Sequence, residues 1–176
     1  NTGHNLIFDF EFEYFSDLST RRIILFGFTK DLSFRDIGDR GWWKEFPDPE
    51  GIYVSIHTAC LGCEDRDQDF VFELLSKKRG KTITLFNTQG YEDFSWGYGR
   101  YRFEVNIRSL DETIISLYSF QNGSWTLLKS ISRNLDLTGI ELNYARIWTD
   151  KMQSYSISGS YRGKLYNLVY KRKRSS

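Results

Sequence analysis

A chain of 176 residues has the length of one domain, and a chain of this size buries roughly 70% of the surface that it exposes when unfolded. Aromatic residues make up 17% of it, which excludes a disordered chain because aromatic side chains supply large buried areas. The 24 basic residues nearly balance the 23 acidic ones, so charge singles out neither nucleic acid nor a membrane surface as the partner. No apolar run approaches the roughly 20 residues of a membrane span, so none is expected.

Runs of β-favouring residues separated by turn residues fill the chain. Five strands are predicted in the first half, in NLIFDFEFEYF, RIILFGF, IYVSIHTA, DFVFELL and TITLFNT. Six follow, in RYRFEVNIR, TIISLYSF, WTLLKSI, GIELNYARIW, QSYSISG and GKLYNLVYK. The Asn122-Gly123 pair between the seventh and eighth favours a tight hairpin, because both residues tolerate positive φ. About eleven strands without a long helical stripe predict one all-β domain over residues 1–176, a two-sheet antiparallel β-sandwich with a basic tail at 171–176.

The order of these runs resembles the concanavalin A-like lectin/glucanase sandwich, which includes laminin G-like modules. In such domains a strand like LIFDFEFEY is followed by a hairpin partner like RIILFGF. A stretch like RYRFEVNIRSLDETIISLYSFQNGSWTLL forms three antiparallel strands across the curved sheet, and a final strand like GKLYNLVYK lies beside the first. The resemblance rests on strand order, and it implies a jelly-roll fold with a tendency towards glycan binding.

Three carboxylates alternate with phenylalanines in the first strand. If Phe8, Phe10 and Phe12 face the core, then Asp9, Glu11 and Glu13 share the other face. The resemblance suggests a catalytic carboxylate row, since glucanases of this fold carry Glu, Asp and Glu at alternate positions of a strand. Here the middle residue is Glu and the row begins the chain, which favours a solvated strand face. Lys164 and Lys171 of the last strand are then the expected basic neighbours.

The segment HTACLGCEDRDQD admits three interpretations. Cys60 and Cys63 could form a short disulfide in an extracellular domain, remain free thiols, or bind zinc together with His57. A further set of acidic residues resembles the start of a calcium loop, although Phe70 replaces the turn glycine of an EF-hand. Those residues are Asp65, Asp67 and Asp69. The domain is expected to require no cofactor, with a looser calcium site as an alternative. His4, the other histidine, is expected in a mobile chain end.

Aromatic residues concentrate in two predicted loops, where they either cover the ends of the sandwich or contact a ligand. The aromatic candidates for a binding site are Trp42, Trp43, Tyr91, Trp96 and Tyr98. Sugars present flat C–H faces to such rings, and nearby polar groups take the hydroxyls. Glu92, Asp93, Arg100 and Arg102 are the candidate polar partners.

No residue set forms a nucleophile–base constellation, so the sequence predicts a non-catalytic recognition module. Carbohydrate binding at a cell or particle surface is the leading hypothesis, with an extracellular or surface-exposed location. One alternative is a sandwich that binds a receptor protein, and another is a glycan hydrolase or lyase. Nucleic acid is not expected as a partner, given the balanced charge.

Overall fold

The computed structural model describes seven stretches of the chain. They are residues 3–15, 24–32, 50–58, 70–88, 98–109, 111–148 and 161–173. These stretches contain ten β-strands. The strands are β1 (Gly3–Phe15), β2 (Ile24–Thr29), β3 (Gly51–Thr58), β4 (Phe70–Lys78), β5 (Lys81–Asn87), β6 (Gly99–Ser109), β7 (Glu112–Gln121), β8 (Ser124–Arg133), β9 (Tyr144–Trp148) and β10 (Tyr161–Lys173). None of the described segments is a helix with the length and apolarity that a membrane span requires.

The ten strands form two five-stranded sheets. The first sheet has the order β10-β1-β6-β7-β8, and the second has the order β5-β4-β3-β2-β9. Neighbouring strands are antiparallel throughout both sheets. The prediction of an all-β chain with two antiparallel sheets, the arrangement of a β-sandwich, is confirmed.

The chain divides into two compact units, each containing one of the sheets. The first unit comprises residues 1–17, 95–139 and 159–176, and the second comprises residues 18–94 and 140–158. Each unit is therefore built from segments that are distant in sequence, as expected when strands pair across long loops. The single-domain assignment stays a prediction.

Ten of the eleven predicted strands correspond to observed ones. The eleventh, QSYSISG at 153–159, lies outside the described residues. The basic tail begins inside a strand, because β10 continues to Lys173. Asn122 and Gly123 have φ values of 53° and 80°, which confirms the tight turn between β7 and β8.

The two chain ends pair as the resemblance predicted, while the expected hairpin between the first two strands is wrong. β1 pairs with β10 and β6, whereas β2 pairs with β3 and β9. The burial patterns give the physical reason. Apart from the buried Asp9, β1 alternates between buried and half-buried positions, but residues 25–29 of β2 are buried on both sides. A strand that is apolar on both sides suits the interior of a doubly covered sheet.

The first sheet buries one face and leaves the other partly open. Phe8, Phe10 and Phe12 are at most 2% exposed, as predicted, and the alternate residues of β6 and β7 are buried with them. The intervening residues of these strands are mostly half-buried. The second sheet differs, since all six residues 51–56 of β3 are buried. Among the described strands, β1, β6 and β7 therefore offer a regular open face.

His4 belongs to this sheet and is buried, so its assignment to a mobile chain end is wrong. Its Nδ1 atom lies 2.8 Å from the hydroxyl of Tyr170 on β10, and the two rings are stacked. Burial, together with the nearby charge of Arg172, lowers the pKa of His4. The pairing of β1 with β10 therefore orders the start of the described chain.

Gly27 is required by the close approach of β2 to β3. A Cβ atom at this position would lie 2.5 Å from the carbonyl oxygen of Ile52 and 2.5 Å from Cα of Tyr53. Gly99 has nearly the same φ, 154° against 159°, and no atom lies within 4 Å of its added Cβ.

We expect Gly27→Ala to lower the free energy of unfolding by about 1 to 3 kcal/mol more than Gly99→Ala, because only the first substitution overpacks its surroundings. Urea unfolding of both variants measures the difference, and equal costs would contradict the role assigned to Gly27.

Candidate functional site

The open face of the first sheet carries two rows of side chains that cross all five strands. Both rows follow directly from the strand register. The Arg100 row consists of Lys164, Glu11, Arg100, Phe120 and Trp125, in strand order from β10 to β8. The Arg102 row consists of Asn167, Asp9, Arg102, Tyr118 and Leu127, in the same order. Charged residues thus occupy the centre of this face, and aromatic residues lie towards the β8 edge.

Asp9 is fully buried at the centre of the face. Arg100 donates to its carboxylate from Nε and Nη2, at 2.8 Å each, and Arg102 donates from Nη2 at 3.0 Å. Asn167 adds a longer bond at 3.3 Å. Charge-assisted bonds of this kind, the first pair bidentate, fix the orientation of both partners. Asp9 therefore holds the two guanidinium groups in place.

The protonation of Asp9 follows from these contacts. Burial alone would raise the pKa of Asp9, but hydrogen bonds from the two arginines and the amide outweigh it, so the pKa lies below its ordinary value of 3.8. A carboxylate with a lowered folded pKa stabilises the fold above the unfolded value, and this contribution is lost as the pH falls below about 3.8. Asp9 is consequently ionised at neutral pH.

A bulge in β10 places Tyr166 against Arg100. Asp9 pairs with Asn167 and Phe10 with Leu165, so Tyr166 is the extra residue between them. The guanidinium carbon of Arg100 lies 3.6 Å from the centroid of the Tyr166 ring. The Tyr166 hydroxyl donates to Glu11 at 2.5 Å, and this bond raises the pKa of the tyrosine. Tyr166 is nevertheless 41% exposed.

Arg100 also contacts the aromatic end of its row. Its guanidinium carbon lies 5.1 Å from the ring centroid of Phe120 and 5.2 Å from that of Trp125. Arg102 lies 4.1 Å from the Trp125 ring. These distances fall within the range of cation–π attraction, about 0.5 to 1 kcal/mol each at exposed sites. Phe120 and Trp125 contact each other across the hairpin, with centroids 5.0 Å apart. The guanidinium groups and the three rings thus form one continuous layer. We call the rings of Phe120, Trp125 and Tyr166 the aromatic layer.

Glu13 lies at the far end of the carboxylate row, between two basic residues of β10. Its carboxylate is 2.7 Å from Nζ of Lys164 and 2.9 Å from Nε of Arg162. The hydrogen bond from Lys164 is the main reason why the pKa of Glu13 is lowered. A general acid needs a raised pKa, and the pKa values of Asp9 and Glu13 are both shifted the other way. Both carboxylates are thus engaged by basic side chains of neighbouring strands.

The structure corrects one part of the sequence interpretation of this row. The three carboxylates do lie on the face opposite the phenylalanines, but Asp9 is not solvated. The two arginines of β6 cover it, and burial of a carboxylate is tolerated when such partners satisfy it. Lys164 is a neighbour of the row, as predicted. Lys171 lies opposite Asn5 instead, beyond the end of the row.

Most of the other candidate residues fall outside the described stretches. These residues are Trp42, Trp43, Cys60, Cys63, Asp65, Asp67, Asp69, Tyr91, Glu92, Asp93 and Trp96. The backbone of His57 belongs to β3, but its side chain is not described. Within the described stretches, no three His, Cys, Asp or Glu side chains are grouped for a metal ion. Tyr98 is 56% exposed at the start of β6, one residue before Gly99.

Several members of the site were missed in the sequence. Phe120 and Trp125 could have been found, because a two-residue turn at Asn122-Gly123 places residues 121 and 124 opposite each other and 120 opposite 125. Tyr166 and Asn167 could not, since their positions depend on the bulge in β10. Of the loop candidates that lie within the described stretches, Arg100 and Arg102 enter the two rows.

Comparisons of the chain with protein-family models, with curated proteins and with solved structures found no match.

Proposed function

We propose that this protein is a non-catalytic recognition module that binds carbohydrate on the open face of its first sheet. The observation that carries the proposal is the layer of Trp125, Phe120 and Tyr166 around Arg100, which keeps rings partly accessible beside polar groups. Sugar rings offer apolar C–H faces for stacking and hydroxyls for hydrogen bonds. A surface that alternates aromatic and polar groups complements both features.

The rigidity of this layer supports the proposal. Asp9 holds Arg100 through two bonds, and Arg100 in turn contacts three aromatic rings. Side chains that are ordered before binding lose little conformational entropy when a ligand arrives. Glu11 has an oxygen bonded to Tyr166, and its second oxygen can accept a bond from a sugar hydroxyl.

The architecture agrees with the resemblance to concanavalin A-like domains, whose curved sheets bind glycans. Two antiparallel five-stranded sheets, with the first and last strands adjacent, are compatible with that fold. An extracellular or surface location belongs to the proposal on the same grounds. The module is proposed to require no cofactor, with a calcium site at Asp65, Asp67 and Asp69 as the alternative. The alternative is that this protein binds a receptor protein at a cell or particle surface.

Replacing Trp125 tests the proposal. We expect Trp125→Ala to weaken binding to the best ligand of a glycan array at least tenfold, because it removes the ring that lies against both arginines, 5.2 Å from Arg100 and 4.1 Å from Arg102. Tyr144→Ala is a matched control, since Tyr144 is 46% exposed on β9 of the second sheet. Binding should survive in the control. Retention of full affinity in folded Trp125→Ala would contradict a site on this face.

One observation favours protein recognition as a second candidate. Leu127, in the Arg102 row, is 52% exposed next to Tyr118, and tryptophan, tyrosine and arginine are the residues most often found in binding hot spots. An exposed leucine suits a protein partner better than a sugar. A glycan array without binding, combined with a purified partner whose affinity falls at least tenfold in Leu127→Ser, would establish this candidate.

A further inference from the structure

The charged side chains of the open face pair with one another. This pairing indicates which class of glycan, neutral or acidic, the face accepts. Four basic and four acidic side chains lie on the described part of the face around the two rows. The basic residues are Arg100, Arg102, Arg162 and Lys164, and the acidic residues are Asp9, Glu11, Glu13 and Glu104. The part of the face around the two rows thus presents no excess of positive charge that would attract an acidic ligand.

Arg100, which lies among the aromatic rings of the face, already uses the N–H edge that would bind an anionic ligand. A guanidinium binds carboxylate or sulfate best in a bidentate manner, through two parallel N–H donors. Arg100 already directs Nε and Nη2 at the two oxygens of Asp9, and its flat face lies against the ring of Tyr166. An anionic group would have to displace a buried carboxylate from this position.

Arg102 is also partly engaged by Asp9 and Trp125. Its Nη2 donates to Asp9, its Nε is buried, and its guanidinium lies over the ring of Trp125. At the other end, Lys164 and Arg162 both bind Glu13. The basic groups within reach of the aromatic layer are therefore engaged by carboxylates of the same sheet.

Resting on the proposed function, we infer that the ligand is a neutral, unsulfated oligosaccharide. Stacking on the aromatic layer supplies the affinity, and Glu11 and the outward N–H groups of Arg100 bind hydroxyls. Such binding depends little on ionic strength, because it neutralises no ligand charge. An acidic glycan or a nucleic acid would instead bind less tightly as salt rises.

The test compares neutral and sulfated oligosaccharides by titration calorimetry. The probes are hexasaccharides from β-glucan and from galactan, together with a heparin hexasaccharide, each at 50 and 500 mM NaCl. We expect a neutral probe to bind with a Kd that changes less than about twofold with salt, and heparin to bind at least tenfold more weakly. Trp125→Ala should lose the neutral probe.

Two failures can be told apart. Tighter binding of heparin, weakened more than tenfold at high salt and lost in Trp125→Ala, would overturn the neutral class and leave carbohydrate recognition on this face intact. Binding of no probe, or equal binding by folded Trp125→Ala, would overturn the proposed function itself.

Discussion

Asp9→Asn is expected to lower the free energy of unfolding by about 3 kcal/mol, one of the largest effects of a single substitution in this protein. The change keeps the shape of the side chain but removes the charge that Arg100 and Arg102 share. Both arginines are about three-quarters buried, and breaking a buried pair by removing one partner costs about 3 to 5 kcal/mol. Partial access of water to the arginines places the expected cost at the lower end. Urea unfolding at pH 7 measures it.

Two comparisons separate this effect from a general sensitivity of β1. Glu11→Gln lies two residues away on the same face and should change stability by less than about 1 kcal/mol, as exposed pairs do. Acid provides the second comparison, since the lowered pKa of Asp9 makes the wild type lose this contribution as the pH falls below about 3.8. The gap between wild type and Asp9→Asn should therefore narrow between pH 7 and pH 3. An Asp9→Asn protein as stable as the wild type at pH 7 would contradict the role assigned to Asp9.

Phe10→Ala is expected to destabilise the fold by about 3 to 5 kcal/mol, the cost of removing a buried aromatic ring. Phe10 is 2% exposed, and its ring centroid lies 5.6 Å from that of Phe12 and 6.2 Å from that of Phe103. The substitution therefore leaves a cavity between β1 and β6, on the face opposite Asp9. Thermal and urea unfolding give the magnitude.

Leu127→Ala is the control for Phe10→Ala, because it removes a large apolar side chain from an exposed position of the same sheet. Leu127 is 52% exposed, so its loss should change stability by no more than about 0.5 kcal/mol. Similar costs for the two substitutions would mean that the buried and open faces of the first sheet have been assigned the wrong way round.

The amino-acid sequence by itself determined the features of this protein that depend on neighbouring residues. The alternation FDFEFEYF was sufficient to place Phe8, Phe10 and Phe12 on one face, because the side-chain period of a strand is two residues. Asn122-Gly123 predicted the hairpin of β7 and β8 because few other residues accept positive φ. Both features are local, and a pattern of a few residues contains the information.

The sheet to which a strand belongs was harder to predict from the sequence. The resemblance of RIILFGF to a hairpin partner suggested that β2 lies beside β1, yet β2 joins the other sheet. The two strands have similar apolar content, and what separates them is burial on one side or on both. The continuous apolar run RIILFGF and the alternation FDFEFEYF do reflect that difference. The partner strands, however, come from distant segments of the chain, and they cannot be read from the strand alone.

Only the tertiary structure decided that Asp9 is buried and paired, and which residues make up the site. Arg100 lies 91 residues from Asp9 in sequence, and Tyr166 reaches Arg100 because β10 bulges beside β1. An acidic residue in an alternating strand is expected to be solvated unless a distant strand supplies partners. The register of β1 with β6 and β10 supplied them. Asp9 thereby became the buried support of the aromatic layer, because pairing and hydrogen bonding offset the cost of burying its charge.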